Sequence, residues 1–223
     1  MKPQETLDYL DQLIQSRSIL NHPFYTAWQR GELTREQLAS YAEVYYPHVA
    51  AFPGYLRSAI DSSSDPIVCL ELERNLADEI ANPKPHPELW LDFAQGMGLV
   101  AERVANARQR PAAANIVKTF ERLSQGESAG ALAALYAYES QQPEVSRQKI
   151  AGLCQHYGVD SPETLAYFEV HAEADIQHRE GERQAMLQCL ATGASPEVVL
   201  DSARQALDAY WGLLDGVCEE AGM

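Results

Sequence analysis

Basic residues are scarce in this chain: 17 lysines and arginines stand against 32 aspartates and glutamates over 223 residues, a formal charge of -15. Nucleic acid and anionic membrane surfaces are bound largely through Lys and Arg, so neither is an expected partner. Cysteine is sparse too. Cys69, Cys154, Cys189 and Cys218 form no CxxC pair and lie mostly in apolar helical stretches, so they read as buried free thiols of a reducing compartment rather than a disulfide framework. No apolar run is long enough to cross a bilayer, and the opening MKPQETLDYLDQLIQ carries acids where a signal peptide needs an unbroken apolar core. The expectation is a soluble, cytoplasmic protein. The sequence has no low-complexity linker, no internal repeat and no competing strand pattern.

What remains is helix almost throughout. Proline marks the starts, with Pro66 after Asp65, Pro87 after His86, Pro143 after Gln142, Pro162 after Ser161 and Pro196 after Ser195. Thr34 with Gln37 makes a capping box, and Gly31 closes the short helix that contains Trp28. The pattern predicts helices near 4–19, 22–30, 34–52, 54–62, 66–81, 87–108, 111–124, 127–141, 143–157, 161–191 and 195–220. Short connections make sequential helices antiparallel neighbours, so the predicted fold is an all-α, up-and-down helical bundle, one domain over residues 1–223.

His171, Asp175 and His178 stand at i, i+4 and i+7 of the long helix LAYFEVHAEADIQHREGERQAMLQCL. At about 100° per residue they fall within an arc of about 60°, so two imidazoles and a carboxylate share one face. Seven residues span roughly 10 Å along the axis, whereas a single ion on a helix is usually held at i and i+4. That length suits a pair of ions. A bundle completes such a site from facing helices, and two segments offer partners. In ERNLADEIANPKPHPELW, Glu79 shares the inner face with Leu72 and Leu76, and His86 hangs on a proline-stiffened loop at Asn82–Pro87. In SAGALAALYAYESQQP, Glu139 is the sole acid of an apolar helix, and a carboxylate there needs a partner. Glu182 shares the face of the triad and is a rival ligand.

The candidate metal ligands are therefore Glu79, His86, Glu139, His171, Asp175 and His178. Mixed imidazole and carboxylate donors without thiolate suit iron or manganese and argue against a structural zinc site. With six donors shared by two ions, positions remain open for water or dioxygen.

In these residues and their spacing the chain resembles the haem-oxygenase-like dimetal oxidases, and among them the self-sacrificing p-aminobenzoate synthases typified by the chlamydial protein associating with death domains. The likeness covers nearly the whole length. Thiaminase II and pyrroloquinoline-quinone synthase share that fold without this six-ligand pattern. The resemblance implies two transition-metal ions, iron with iron or manganese with iron, and dioxygen and an external reductant as co-substrates. It implies that Tyr25, in NHPFY, is consumed as the source of the product's ring, and that Lys149, in RQKIAGL, is the amino donor. It also places Tyr138 and Tyr167 near the metals. Taken singly, Tyr25 reads as a core or rim aromatic and Lys149 as a surface lysine. A homodimer is compatible with the fold, and no residue marks a death-domain surface.

Two other classes stay open on the sequence. One is a conventional dimetal oxygenase, or a thiaminase-like enzyme, acting on an external small substrate. The other is a non-enzymatic helical binding protein.

Overall fold

Pro3, Pro23, Pro66, Pro111, Pro162 and Pro196 each occupy the first residue of a helix, where a missing N–H leaves no bond unmade. The computed structural model describes residues 1–81 and 84–223. Among these the chain runs through α1 (Pro3–Ser16), a 3-10 turn (Ile19–Asn21), α2 (Pro23–Arg30), α3 (Arg35–Ser62), α4 (Pro66–Ala81) and α5 (His86–Gly96). It continues through α6 (Ala101–Ala105), α7 (Pro111–Ser124), α8 (Ser128–Glu139), α9 (Gln142–Tyr157), α10 (Pro162–Ala191) and α11 (Pro196–Glu220). No strand is present among the described residues.

The bundle is organised around α8. Every residue from Ala129 to Glu139 is buried, as an apolar helix lacking a polar face requires, and α11, α10 and α7 pack around it. Helix α3 buries Leu38, Tyr41, Tyr45, His48, Phe52, Tyr55 and Ala59, a run at three- and four-residue steps that faces α4, α5 and α7. The inner stripe of α10 changes character along its length. Leu165 and Phe168 begin it and Ala185 and Met186 continue it, but His171, Asp175, His178 and Glu182 occupy the buried positions between.

Several boundaries differ from the sequence expectation. Helices expected at 34–52 and 54–62 are one helix, α3, with Pro47 and Pro53 inside it. Each proline removes one backbone bond, and burial on both sides of each holds the helix together. The helix expected at 87–108 is two, because α5 stops at Gly96 and Gly98 turns the chain with a φ of +89°. His86 is not on a loop: it is the first residue of α5, capped by Pro85, while the first two residues of the expected loop, 82–83, lie outside the described residues. Sequence neighbours are not always partners either, since α11 lies chiefly on α8 and α7 rather than on α10. Of the four cysteines, all free, only Cys189 is buried, and Cys154 is exposed. No helix among the described residues is long and apolar enough to cross a membrane.

Helix α9 is seated by a close approach. The Trp28 indole N–H of α2 donates to the Lys149 carbonyl at 3.2 Å, and a Cβ added at Gly152 would lie 2.6 Å from Trp28 Cδ1. The expected effect of Gly152→Ala is a loss of about 1–3 kcal/mol in chemical denaturation, because the buried indole has nowhere to retreat. Unchanged stability would show that α2 and α9 separate at little cost.

Candidate metal centre

Each of the six expected ligands is buried, and the structure brings them together as two groups of three. Glu79, His86 and His171 form one, and Glu139, Asp175 and His178 the other; within each, one donor atom per residue lies within 4.8 Å of the rest. The two-turn stripe on α10 therefore divides, His171 serving one group and Asp175 with His178 the other. Helix α4 supplies Glu79, the first turn of α5 supplies His86, and the last residue of α8 supplies Glu139.

The histidines are oriented from behind. His171 Nδ1 donates to the Tyr167 carbonyl at 2.7 Å, which leaves Nε2 facing Glu79 Oε1 at 3.8 Å. His178 Nε2 donates to Asp78 Oδ2 at 2.9 Å, which leaves Nδ1 facing Asp175 at 3.4 Å and Glu139 at 3.8 Å. Such outer partners fix the tautomer and aim the free nitrogen. Asn75, one turn before Glu79 on α4, does the same for a carboxylate: its amide donates to both Glu139 oxygens, at 2.8 and 3.1 Å.

The residues fit a metal pair. His86 Nδ1 approaches Glu79 Oε1 at 2.9 Å without the alignment of a hydrogen bond, and buried His86 Nε2, His178 Nδ1 and Asp175 Oδ2 have no hydrogen-bond partner. Converging lone pairs of this kind are what ligands to a shared cation present. Glu139 makes the need sharpest, since it is a buried acid at a helix C-terminus, where the dipole is already negative.

Electrostatics repeat the point. Burial would raise Glu79, but the His171 and His86 imidazoles outweigh it and hold the carboxyl down at about 2. Burial, then the Asp175 charge, pushes Glu139 up to about 7. Burial opposes charging His178, yet Asp175, Glu139 and Asp78 together raise it to about 10. The second group thus holds protons that a metal ion must displace.

A tyrosine cluster adjoins the centre. The Tyr167 ring lies against His171, with centroids 4.1 Å apart, and its hydroxyl neighbours that of Tyr138. Tyr138 and Tyr45 hydroxyls are 3.0 Å apart, and Tyr45 donates to Tyr210 at 2.9 Å. Tyr210 and Tyr25 act on each other's ionisation, and Tyr25 meets Tyr41 at 3.0 Å. Lys149 is not on the surface. It is 1% exposed, with Nζ 5.2 Å from the Tyr25 ring, 5.4 Å from Tyr41, 5.6 Å from Tyr45 and 5.1 Å from Phe168. Burial drives its pKa well below the usual value.

Sequence reasoning missed Tyr41, Tyr45 and Tyr210, and also Asn75 and Asp78. The first two carried a signal, being one turn apart on the apolar face of α3; Tyr210 on α11 carried none.

Comparison with known proteins identifies the family. Residues 39–211 match the model of a family described as iron-containing redox enzymes. The chain belongs to that family. It is 42% identical over 217 residues to the 4-aminobenzoate synthase of Chlamydia muridarum (strain MoPn / Nigg), covering 96% of this chain and 91% of that protein. The 4-aminobenzoate synthase of Nitrosomonas europaea is 40% identical over 220 residues, covering 94% and 89%. A crystal structure from Shewanella denitrificans, described as a domain with a heme oxygenase-like fold, superposes with a TM-score of 0.75 over 99% of this chain and 93% of that one, at 16% identity. The fold is therefore haem-oxygenase-like.

The pH dependence follows from Glu139. Its folded-state pKa lies above that of an unfolded carboxyl, so the stability it contributes is present at low pH and is lost as pH rises towards 7. A bound cation needs the ionised form and removes that penalty. The thermal shift produced by saturating Co2+ should be larger at about pH 8 than at about pH 6, because fewer protons remain to be displaced. Equal shifts at both would place the cation elsewhere.

Proposed function

We propose that this chain is a dimetal oxidase that makes 4-aminobenzoate from its own Tyr25, with Lys149 as the amino donor. The observation that carries the reading is the Lys149 amine held 5.2 Å from the Tyr25 ring, inside a cage of aromatic side chains that adjoins two buried triads of metal-binding type. Relatives about 40% identical over most of the chain bear the name of that activity.

Glu79, His86 and His171 would hold one ion, and Glu139, Asp175 and His178 the other. Iron with iron or manganese with iron at these positions, with an external reductant, supplies the reduction of dioxygen and hence the oxidising equivalents. The remaining work belongs to the chain. Tyr138 and Tyr167 lie between the triads and Tyr25, and burial raises the pKa of all three well above that of free tyrosine. A phenol so placed loses its electron together with its proton, since an isolated charge would be poorly solvated. The hydroxyl contacts through Tyr45 and Tyr210 give that proton an acceptor at each stage and lead to Tyr25. Burial lowers the Lys149 pKa well below its usual value and so favours the uncharged amine, whose nitrogen has a free lone pair beside the ring that is to be aminated. Because the ring and the nitrogen both come from the polypeptide, each chain acts once.

Protein loaded with metal anaerobically, then reduced and exposed to air, should lose mass at Tyr25 and release no more than one equivalent of 4-aminobenzoate, read by intact-mass spectrometry and chromatography. Tyr25→Phe should release none and retain its metal. Chains grown on lysine labelled with 15N at the side chain should yield labelled product. Product from Tyr25→Phe, or product without label, would assign the ring or the nitrogen to another source.

A further inference from the structure

Helix α4 turns a second stripe toward α10: Glu71, Asn75 and Asp78, at i, i+4 and i+7. Asn75 and Asp78 have their partners in Glu139 and His178. Glu71 has a different setting. Its carboxylate stands directly over Gly181 of α10, in the space that a Cβ there would occupy. It lines a surface cleft of about 610 Å³ that reaches His178 and is bounded also by Arg74, Asp78 and Arg183.

Next to Gly181 is Glu182, one turn beyond His178, which neither triad uses. It is 0% exposed, and no amide, hydroxyl or basic group reaches either of its oxygens. Its carboxyl abuts that of Glu139 on one side and feels the charge of Glu71 on the other. A buried carboxyl set among other acids is costly to keep ionised unless it holds a proton or meets a cation that replaces that proton. It is not part of the compact second triad, whose donor atoms lie within 4.8 Å of one another. Its place is beside that triad, within reach of the Glu71 charge at the cleft.

We propose that Glu71 and Glu182 are successive stations of an uptake route, by which a divalent transition-metal cation passes from the surface cleft to Glu139, Asp175 and His178. The route rests on the dimetal reading of the two triads. Glu71 meets the hydrated ion at the cleft, where the basic groups leave it room. Arg183 is engaged by Asp8 and Asp11, at 3.3 and 3.0 Å, and Arg74 reaches only the far oxygen of Glu71, at 3.5 Å. Gly181 allows the Glu71 carboxylate to sit against the α10 backbone, and Glu182 then exchanges water for carboxylate oxygen before Glu139 takes the ion. Carboxylates in series keep a negative potential along the path between α4 and α10.

The test uses metal-free full-length protein mixed with Co2+ in a stopped-flow instrument, with ligand-field absorption reporting occupancy. Glu71→Gln and Glu182→Gln should slow the phase that fills the Glu139 triad by about 10-fold and leave the other phase unchanged, since each removes one charge from one route. Gly181→Ala, which displaces the Glu71 carboxylate, should slow it too. Both Gln variants should still bind two equivalents at equilibrium, and Glu169→Gln, an exposed acid on the same helix, should load at the wild-type rate. Wild-type rates in both Gln variants would overturn the route, as would a fall to one equivalent in Glu182→Gln, which would make Glu182 a resting ligand. If Glu182→Gln fails to fold by circular dichroism, Glu71, whose side chain is 14% exposed, decides the matter alone. Wild-type protein that takes up no Co2+ would instead overturn the metal reading itself.

Discussion

Four carboxylates, Glu79, Glu139, Asp175 and Glu182, are buried within one helical bundle, and no arginine or lysine is paired with any of them among the described residues. Taking even one ionised carboxyl out of water costs several kcal/mol after relaxation, more than a surface ion pair returns. The bundle therefore needs positive charge at its centre. Part comes from His171 and His178, whose pKa values the neighbouring carboxylates raise, and the rest must be a bound cation or retained protons. The outer hydrogen bonds from Asn75, Asp78 and the Tyr167 carbonyl make sense in that light, because they fix which atoms face the cation.

The same core contains a second, oppositely organised region a short way along the bundle. Around Lys149 there are rings rather than acids, and want of solvation holds the pKa of an amine there well below its usual value. Had Lys149 been placed among Glu139 and Asp175 it would be an ammonium ion, useless as a nucleophile and a competitor for the metal positions. Tyr138 and Tyr167 stand between the regions as groups that are neutral at rest yet oxidisable. Their placement separates charge from amine while keeping the two within reach of a chain of hydroxyls.

Spacing on a single helix is enough to expose half of the candidate metal centre, because i, i+4 and i+7 place side chains on one face whatever the tertiary structure. Glu139 was legible for a different reason, as the one acid in an apolar segment. His86 was found as a residue but misplaced, since three prolines between 82 and 87 read as loop although the last two accommodate a helix start at Pro85 and His86. Lys149 could not be located from its own segment. RQKIAGL has no more apolar character than many exposed turns, and only packing of α9 on α2 and α10 buries the lysine among rings from four other helices. Tyr210 was hidden likewise, since α11 packs on α8 rather than on its sequence neighbour α10.

That packing bears on why a protein would spend its own side chain. Tyr25 is 1% exposed and its hydroxyl is within hydrogen-bond distance of Tyr41, with Trp28 and Phe24 against its ring. An external phenol reaching the same position would have to displace this wall, and the positioning of ring and amine would depend on its binding each time. A tyrosine built into α2 carries no such cost, because folding has already fixed its orientation toward Lys149. The closed wall also keeps water from an oxidised phenol. What the arrangement forgoes is replacement: a consumed Tyr25 has no path by which a new one can enter. In the proposed reaction, single use is thus a consequence of how tightly the ring is packed, and the packing is what makes the chemistry controllable.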